Sequence, residues 1–348
     1  MTTDEFNTQA ESAEVDEGTA SAVDKKVSET TLDKMKPGER AEWQEANEIV
    51  RAVAAREHWS RPELCRRSGV PAGTLYPWLD GTYKGNYANV TERMRKWLSA
   101  EEEQRMTVAA MIAEPEFVET PTAREVLQAL RYAQAAPTMA VITLGAGMGK
   151  TTTARHYAMN TPHVTRIVLR PTASTPMAVI RELARELGLS ERRYDLIEKA
   201  IGEKLKRNGR HTLVIVDEAQ NMTDKSVNEL RHYMDVYKCG LALIGNEEVT
   251  NRWAGAAPRQ HQGQIHRRVG VPLTRLKPLT ADIDAYVDAW GFDDPEIAKL
   301  CRAIGRKPGA LGQISETIKL AAIIAGGNRV TANDVKLAWA KRTGEGSH

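Results

Sequence analysis

The chain is short of aromatic residues, with three Phe in 348 positions, and short of cysteine. Cys65, Cys239 and Cys301 stand far apart and form no CxxC pair. That argues against a zinc site or a disulfide framework and fits a reducing cytoplasm. No run of about 18 apolar residues occurs, so no membrane-spanning helix and no membrane partner are expected. The first residues lack a basic stretch followed by an apolar core, so no secretory leader is expected. An N-K-x-D guanine motif is also missing, which argues against a GTPase.

Charge of one sign is missing locally. The net charge is +2, yet Met1 to Asp24 holds seven acids and no base. That segment is rich in Ser, Thr and Ala and reads as a disordered tail over 1–38. From Val249 to Ala281 the reverse holds, with six Lys/Arg and no acid. Two readings are open there, a solvated loop or a positive surface facing phosphates.

The rest divides into an all-helical unit over 39–110, an alternating strand and helix unit over 115–278, a helical unit over 279–342 and a tail over 343–348. In the first unit, "RPELCRRSG" and "TLYPWLDG" read as two short helices about the turn "VPAG". They resemble a helix-turn-helix. Pro77 fits the second helix only if that helix starts near Thr74, placing the ring in its first turn. Arg51 to Ala100 carries nine Lys/Arg against four Asp/Glu. That suits DNA, with Lys84 among the contacts, although a helical protein-docking module shares the pattern.

In the second unit "MAVITL", "TRIVLR", "HTLVIVDEAQ", "GLALIGN" and "GVPLTRL" read as strands of a parallel sheet. The first leads into "LGAGMGKTTTARHY". This ends like a phosphate-binding loop, G-x-x-x-x-G-K-[ST], but its first position is Leu144. Gly145, one place later, is positioned to serve the bend. Gly145, Ala146, Gly147, Met148, Gly149, Lys150, Thr151 and Thr152 form the candidate nucleotide cradle. Backbone N–H groups and the helix N-terminus would bind phosphate oxygens, Lys150 would reach the β and γ phosphates, and Thr151 would ligate Mg²⁺.

Asp217 ends a strand whose four preceding residues are apolar, at the sheet edge where ligands bind. It would hold Mg²⁺ through water, with Glu218 as general base toward the attacking water. The alternative is two acids capping the next helix. Asn246 closes "GLALIGN", either as a water-orienting amide or as a turn residue. Arg267 and Arg268 are either a surface pair or an arginine finger entering a neighbour's site.

These parts in this order resemble the AAA+ ATPase family, with an α/β P-loop core, a parallel sheet and a helical lid behind an all-α helix-turn-helix domain. More narrowly, "SGVPAGTLYPWLDGTYKGN", "EFVETPTAREVLQALRYA", "LVIVDEA", "GLALIGN" and "KPGAL" are similar to the Mu B transposition family of phages and prophages. The resemblance implies an ATP- and Mg²⁺-dependent protein that binds duplex DNA with little sequence preference. It would form helical filaments on DNA, present that DNA to a DDE transposase and stimulate strand transfer. Hydrolysis would drive disassembly, in the cytoplasm of a bacterial host. The resemblance also places the finger at Arg267 or Arg268. It points to Arg170, Thr172, Lys225, Arg252 and Arg259 as DNA contacts. Two departures stand out. Leu144 replaces the first loop glycine, and Gly312 stands where the family's lid arginine is expected, with Arg306 or Lys307 one turn away. Slow hydrolysis is expected. A helicase-loader or origin-type ATPase, or a DNA-binding regulator whose ATP site gates assembly, remain as other readings.

Overall fold

The computed structural model describes residues 36–191, 193–209, 211–254 and 263–344. The acidic tail expected over 1–38 therefore lies almost wholly outside the described residues, as do Arg259 and most of the tail over 343–348. Backbone contacts divide the chain after Ala109 into two units.

The first unit contains α1 (Pro37–Arg56), α2 (Arg61–Ser68) and α3 (Ala72–Leu79), with α4 (Tyr87–Ala110) closing it. Trp43, Val50, Leu64, Leu75, Trp78 and Met94 form its core. Two tryptophans are buried because their N–H groups find partners. Trp43 Nε1 donates to Trp78 O at 3.0 Å, and Trp78 Nε1 to Thr91 Oγ1 at 3.1 Å. Gly69 ends α2 at φ +66, a left-handed turn that glycine adopts without strain. One expectation is corrected here. Helix α3 starts at Ala72, directly after Pro71, so Pro77 lies inside it rather than in its first turn. The ring removes one i−4 bond, from the position paired with exposed Gly73, where water can replace it.

The second unit is a five-stranded sheet in the order β2-β3-β4-β1-β5. The strands are β1 (Met139–Leu144), β2 (Val164–Val168), β3 (Leu213–Asp217), β4 (Gly240–Gly245) and β5 (Val269–Arg275), and every pairing is parallel. Strands β1, β3 and β4 are buried throughout, as continuous apolar runs between two helical layers should be. The fifth strand read from "GVPLTRL" exists as an edge, and its exposure alternates. Around the sheet run α5 (Pro121–Ala135), α6 (Lys150–Asn160), α7 (Pro176–Glu186), α8 (Tyr194–Asn208), α9 (Asp224–Tyr237), α10 (Glu247–Trp253) and α11 (Gly263–His266).

The lid is α12 (Thr280–Ala289), α13 (Pro295–Gly305), α14 (Ala310–Ile324) and α15 (Ala332–Thr343), packed on Ile283, Val287, Ile314, Ile318 and Val335. A Thr-Pro or Asp-Pro pair opens α5, α7 and α13, the first residue capping and the proline taking the first helical position. The lid is fastened to the sheet unit by one buried carboxylate. Asp282 accepts from Thr122 N at 2.7 Å, Thr122 Oγ1 at 2.6 Å and Leu279 N at 2.8 Å.

Candidate functional site

The order of strands puts β4 between β1 and β3, so three carboxyl-terminal strand ends lie side by side. Thr143 pairs with Gly245 and Asp217 with Ile244. The loop after Leu144, the Asp217-Glu218 pair and Asn246 are thereby brought to one edge.

Leu144 is the last residue of β1 and is buried in the core. The close approach falls one residue later. Gly145 N donates to Arg275 O at 2.9 Å, and a Cβ at Gly145 would lie 2.3 Å from Leu276 O. The strand runs one residue further than the motif implies, and glycine sits where the clearance is needed. Gly147 and Gly149 take φ of +70 and +78, and Lys150 then opens α6. Lys150 Nζ donates to Leu144 O at 2.8 Å and Gly145 O at 2.9 Å. Burial pulls this ammonium below the usual lysine value, against the opposing charges of Glu218 and Asp217.

The loop borders a cavity of about 790 Å³, a size that takes a nucleotide. Ala146 to Thr153 line it, with Glu218, Gln220 and Asn246 on the sheet side. Gly145 and Asp217 do not line it. Gly145 is half-buried, and Asp217 is fully buried. Asp217 Oδ1 accepts from Glu218 N at 3.0 Å, and Oδ2 accepts from Arg166 Nη2 at 2.7 Å. Glu218 itself is left-handed, at φ +57 and ψ +40, which turns its side chain out of the strand direction. Asn246 is the cap of α10, its Oδ1 accepting from Glu248 N at 3.0 Å, and it lines the cavity as well.

The opposite wall is formed by residues 114–118 before α5 and by the lid residues Tyr286, Leu311, Gly312 and Ser315. The sequence reading missed this wall as part of a site. Phe117 stacks on His156 with ring centres 3.8 Å apart. Tyr286 Oη donates to Glu114 at 2.9 Å and meets Ser315 Oγ at 2.5 Å, while Lys319 pairs with Glu114 at 2.6 Å. Burial pushes the Tyr286 phenol up to about 12. Burial works to raise Glu114 as well, but bonds from Lys319, Ser315 and Tyr286 bring its carboxyl below the usual value. The lid approaches the loop backbone to backbone. Gly312 N donates to Gly147 O at 3.2 Å, and a Cβ on Gly147 would fall 1.8 Å from Gly309 O. Arg306 and Lys307 are exposed and away from the wall. Among the described lining residues the cations are Lys150 and Arg155, neither from the lid.

Residues 134–252 match the family described as AAA domain, and residues 267–341 match Mu B transposition protein, C terminal. The ATP-dependent target DNA activator B of Escherichia phage Mu is 29% identical over 295 residues, 84% of this chain and 93% of that protein. The Mu-like prophage FluMu DNA transposition protein B of Haemophilus influenzae is 31% identical over 262 residues, 74% of this chain and 90% of its own length. The chain belongs to the Mu B transposition protein family. Its AAA domain is the expected α/β core with a parallel sheet and helical lid. Among solved structures, the Aeropyrum pernix Orc1 protein in complex with DNA matches with a TM-score of 0.48 at 16% identity, over 66% of each chain.

The remaining residues singled out in this Mu B family chain fall into separate places. Arg267 and Arg268 are exposed and immediately precede β5, whose start pairs with the start of β1. They stand at the opposite sheet edge from their own phosphate loop, so they do not enter their own cavity. Arg268 pairs with Asp235 at 3.3 Å. Arg170 and Thr172 are exposed after β2, and Lys225 is exposed in the first turn of α9. Their two loops are tied together. Asn221 Nδ2 donates to Leu169 O at 2.9 Å, and Thr223 N and Ser226 Oγ both donate to Ser174 O. Arg252, expected as a DNA contact, donates its Nη2 to Asp224 at 2.8 Å, and its guanidinium lies 4.3 Å over Trp253. Lys84 is exposed between α3 and α4. Much of the positive charge around it is paired, Arg61 with Asp80, Arg66 and Arg67 with Glu63, Arg95 with Glu45 and Lys96 with Glu92. Among the described residues no helix is long and apolar enough to cross a membrane.

Proposed function

We propose that this chain is an ATPase that binds duplex DNA with little sequence preference and assembles on it as a helical filament. In this reading the filament presents target DNA to a DDE transposase and stimulates strand transfer, and hydrolysis drives disassembly. The observation that carries the reading is the meeting of Lys150, Thr151, Glu218 and Asn246 on one nucleotide-sized cavity at the carboxyl edge of the sheet. The name of the phage Mu relative, which specifies ATP dependence and target DNA, agrees with it.

The residues divide the work as follows. The loop amides and the N-terminus of α6 bind phosphate oxygens, and Lys150 exchanges two backbone carbonyls for the β and γ phosphates. Glu218 accepts the proton of the attacking water, and Asn246 Nδ2 orients that water. Thr151 and, through water, Asp217 would hold Mg²⁺, which supplies charge to the phosphates. Their donors are the hard oxygens that ion prefers. Among the described residues no group of three or more His, Cys, Asp or Glu is set for a metal, as expected for an ion that keeps water and phosphate ligands. Arg267 or Arg268 of one copy would complete the site of the next. The absence of a lid cation from the described wall supports slow turnover. The exposed Arg170, Thr172 and Lys225, on loops tied to the Asp217 strand, would meet phosphates, and Lys84 would add a contact from the first unit, whose α2 and α3 act as a helix-turn-helix.

The test is electron microscopy of the protein on linear duplex DNA with ATP, ADP or no nucleotide, at one salt concentration, since phosphate-dominated binding falls steeply with salt. Filaments with ATP alone are expected. Discrete rings, or no assembly in any state, would overturn the filament reading.

A further inference from the structure

One polar side chain of the cavity wall has no role so far. Gln220 follows Glu218 by two residues and lies between it and Asn246. Its Nε2 donates to Glu218 Oε2, and its Oε1 accepts from Asn246 N at 3.3 Å. The amide cannot be turned over. A carboxylate only accepts here and a backbone N–H only donates, so the two partners fix which end faces which.

The surroundings are built around this bridge. Gly245 closes β4 beside it, and a Cβ there would fall 2.4 Å from Gln220 Oε1. Arg252 Nη1 donates to Gln220 O at 3.3 Å, anchoring the backbone from which the side chain reaches. Glu218 is held left-handed immediately upstream. An unsupported carboxylate on such a residue has several rotamers to explore. One charge-assisted bond from a fixed amide removes most of them.

We propose that Gln220 is a positioning residue for hydrolysis: its amide fixes the Glu218 carboxylate relative to the end of β4, and so relative to Asn246. This rests on the assignment of Glu218 as the base. In this role Gln220 acts through Glu218 rather than on the reacting atoms. It sets the spacing of the two groups that do.

The experiment uses the full chain with Gln220→Ala, isosteric Gln220→Glu, Glu218→Gln and the double variant Glu218→Gln with Gln220→Ala. Steady-state ATP turnover is measured with DNA present. Affinity for a fluorescent ATP analogue and thermal melting are measured alongside. Gln220→Ala should lower kcat by about tenfold or more, toward the roughly 10²-fold loss of a misplaced catalytic group. KM and analogue affinity should stay within about twofold, because uniform binding is untouched. Gln220→Glu should fall likewise, since it keeps the volume and loses the donor. In the Glu218→Gln background, Gln220→Ala should cause no further loss. An equal loss in both backgrounds, or a loss that appears in KM and melting instead, overturns the positioning role. Undiminished turnover of Glu218→Gln alone removes the base assignment, and the proposal falls with it for that separate reason.

Discussion

Arg166, on β2, donates its Nη2 to Asp217 Oδ2 at 2.7 Å, and the carboxylate it holds is fully buried. A buried charge needs such a partner. Arg166→Ala would leave Asp217 buried and uncompensated, at a cost of about 3–5 kcal/mol. Urea unfolding should report it as a lower midpoint with an unchanged slope. Arg166→Lys, which keeps the charge but not the fork, should recover part of the loss.

The loop and lid meet at two glycines with different clearances. Gly147→Ala combines a φ of +70 with a Cβ 1.8 Å from Gly309 O, so the lid must shift away. ATP-analogue affinity should fall by tenfold or more, about 1.4 kcal/mol at the least. At Gly312 a Cβ meets only Gly147 Cα at 3.4 Å, an ordinary contact. Gly312→Ala should change affinity by less than about threefold, and it should raise the melting temperature slightly through helix propensity.

Alkaline stability carries the mark of Tyr286. Its phenol is raised from 10.0 to about 12, so the folded state favours the neutral form. That stabilisation is whole below pH 10 and is lost as pH rises through about 12. Cys239 and Cys301, both raised by burial to about 12, add losses of the same sign. Tyr286→Phe should therefore melt lower than the parent at pH 8, with the gap narrowing as pH passes 10. A gap independent of pH would contradict the assignment.

Asp282 ties the lid to α5 through the two donors of Thr122, and caps its own helix through Leu279 N. Asp282→Ala should cost about 3 kcal/mol, because it leaves Thr122 N and Leu279 N without their acceptor. Hydrogen exchange should speed up at those two amides and through α12, while β3 and β4 stay protected.

The parts legible in the sequence are those where chemistry and pattern coincide. The apolar runs of β1, β3 and β4 read as buried strands because both faces are covered. The phosphate loop and the Asp217-Glu218 pair read as a site because each sits at a strand end. Arg166 was not legible, since its partner lies 51 residues away and only strand pairing brings them together. The wall of residues 114–118 and Tyr286 was hidden for the same reason, with Glu114 and Tyr286 separated by 172 residues. Helix α8 was passed over because its buried face is a narrow stripe, Ile197, Ile201 and Leu205, among charged neighbours. The Arg252–Asp224 pair was not legible, since 28 residues separate the two.

Leu144 has a consequence for recognising such sites elsewhere. A pattern that demands glycine at the first loop position passes over this protein, although its cradle has every turn it needs. What the loop keeps there is a clearance. The backbone must pass close to the carbonyl of Leu276, and only the residue at that point has to be small. The clearance belongs to the residue just past β5 as much as to the loop itself. A lengthened β1 can therefore shift the glycine by one residue while Gly147 and Gly149 keep their turns, and motif searches would do better to follow the edge strand than the letter.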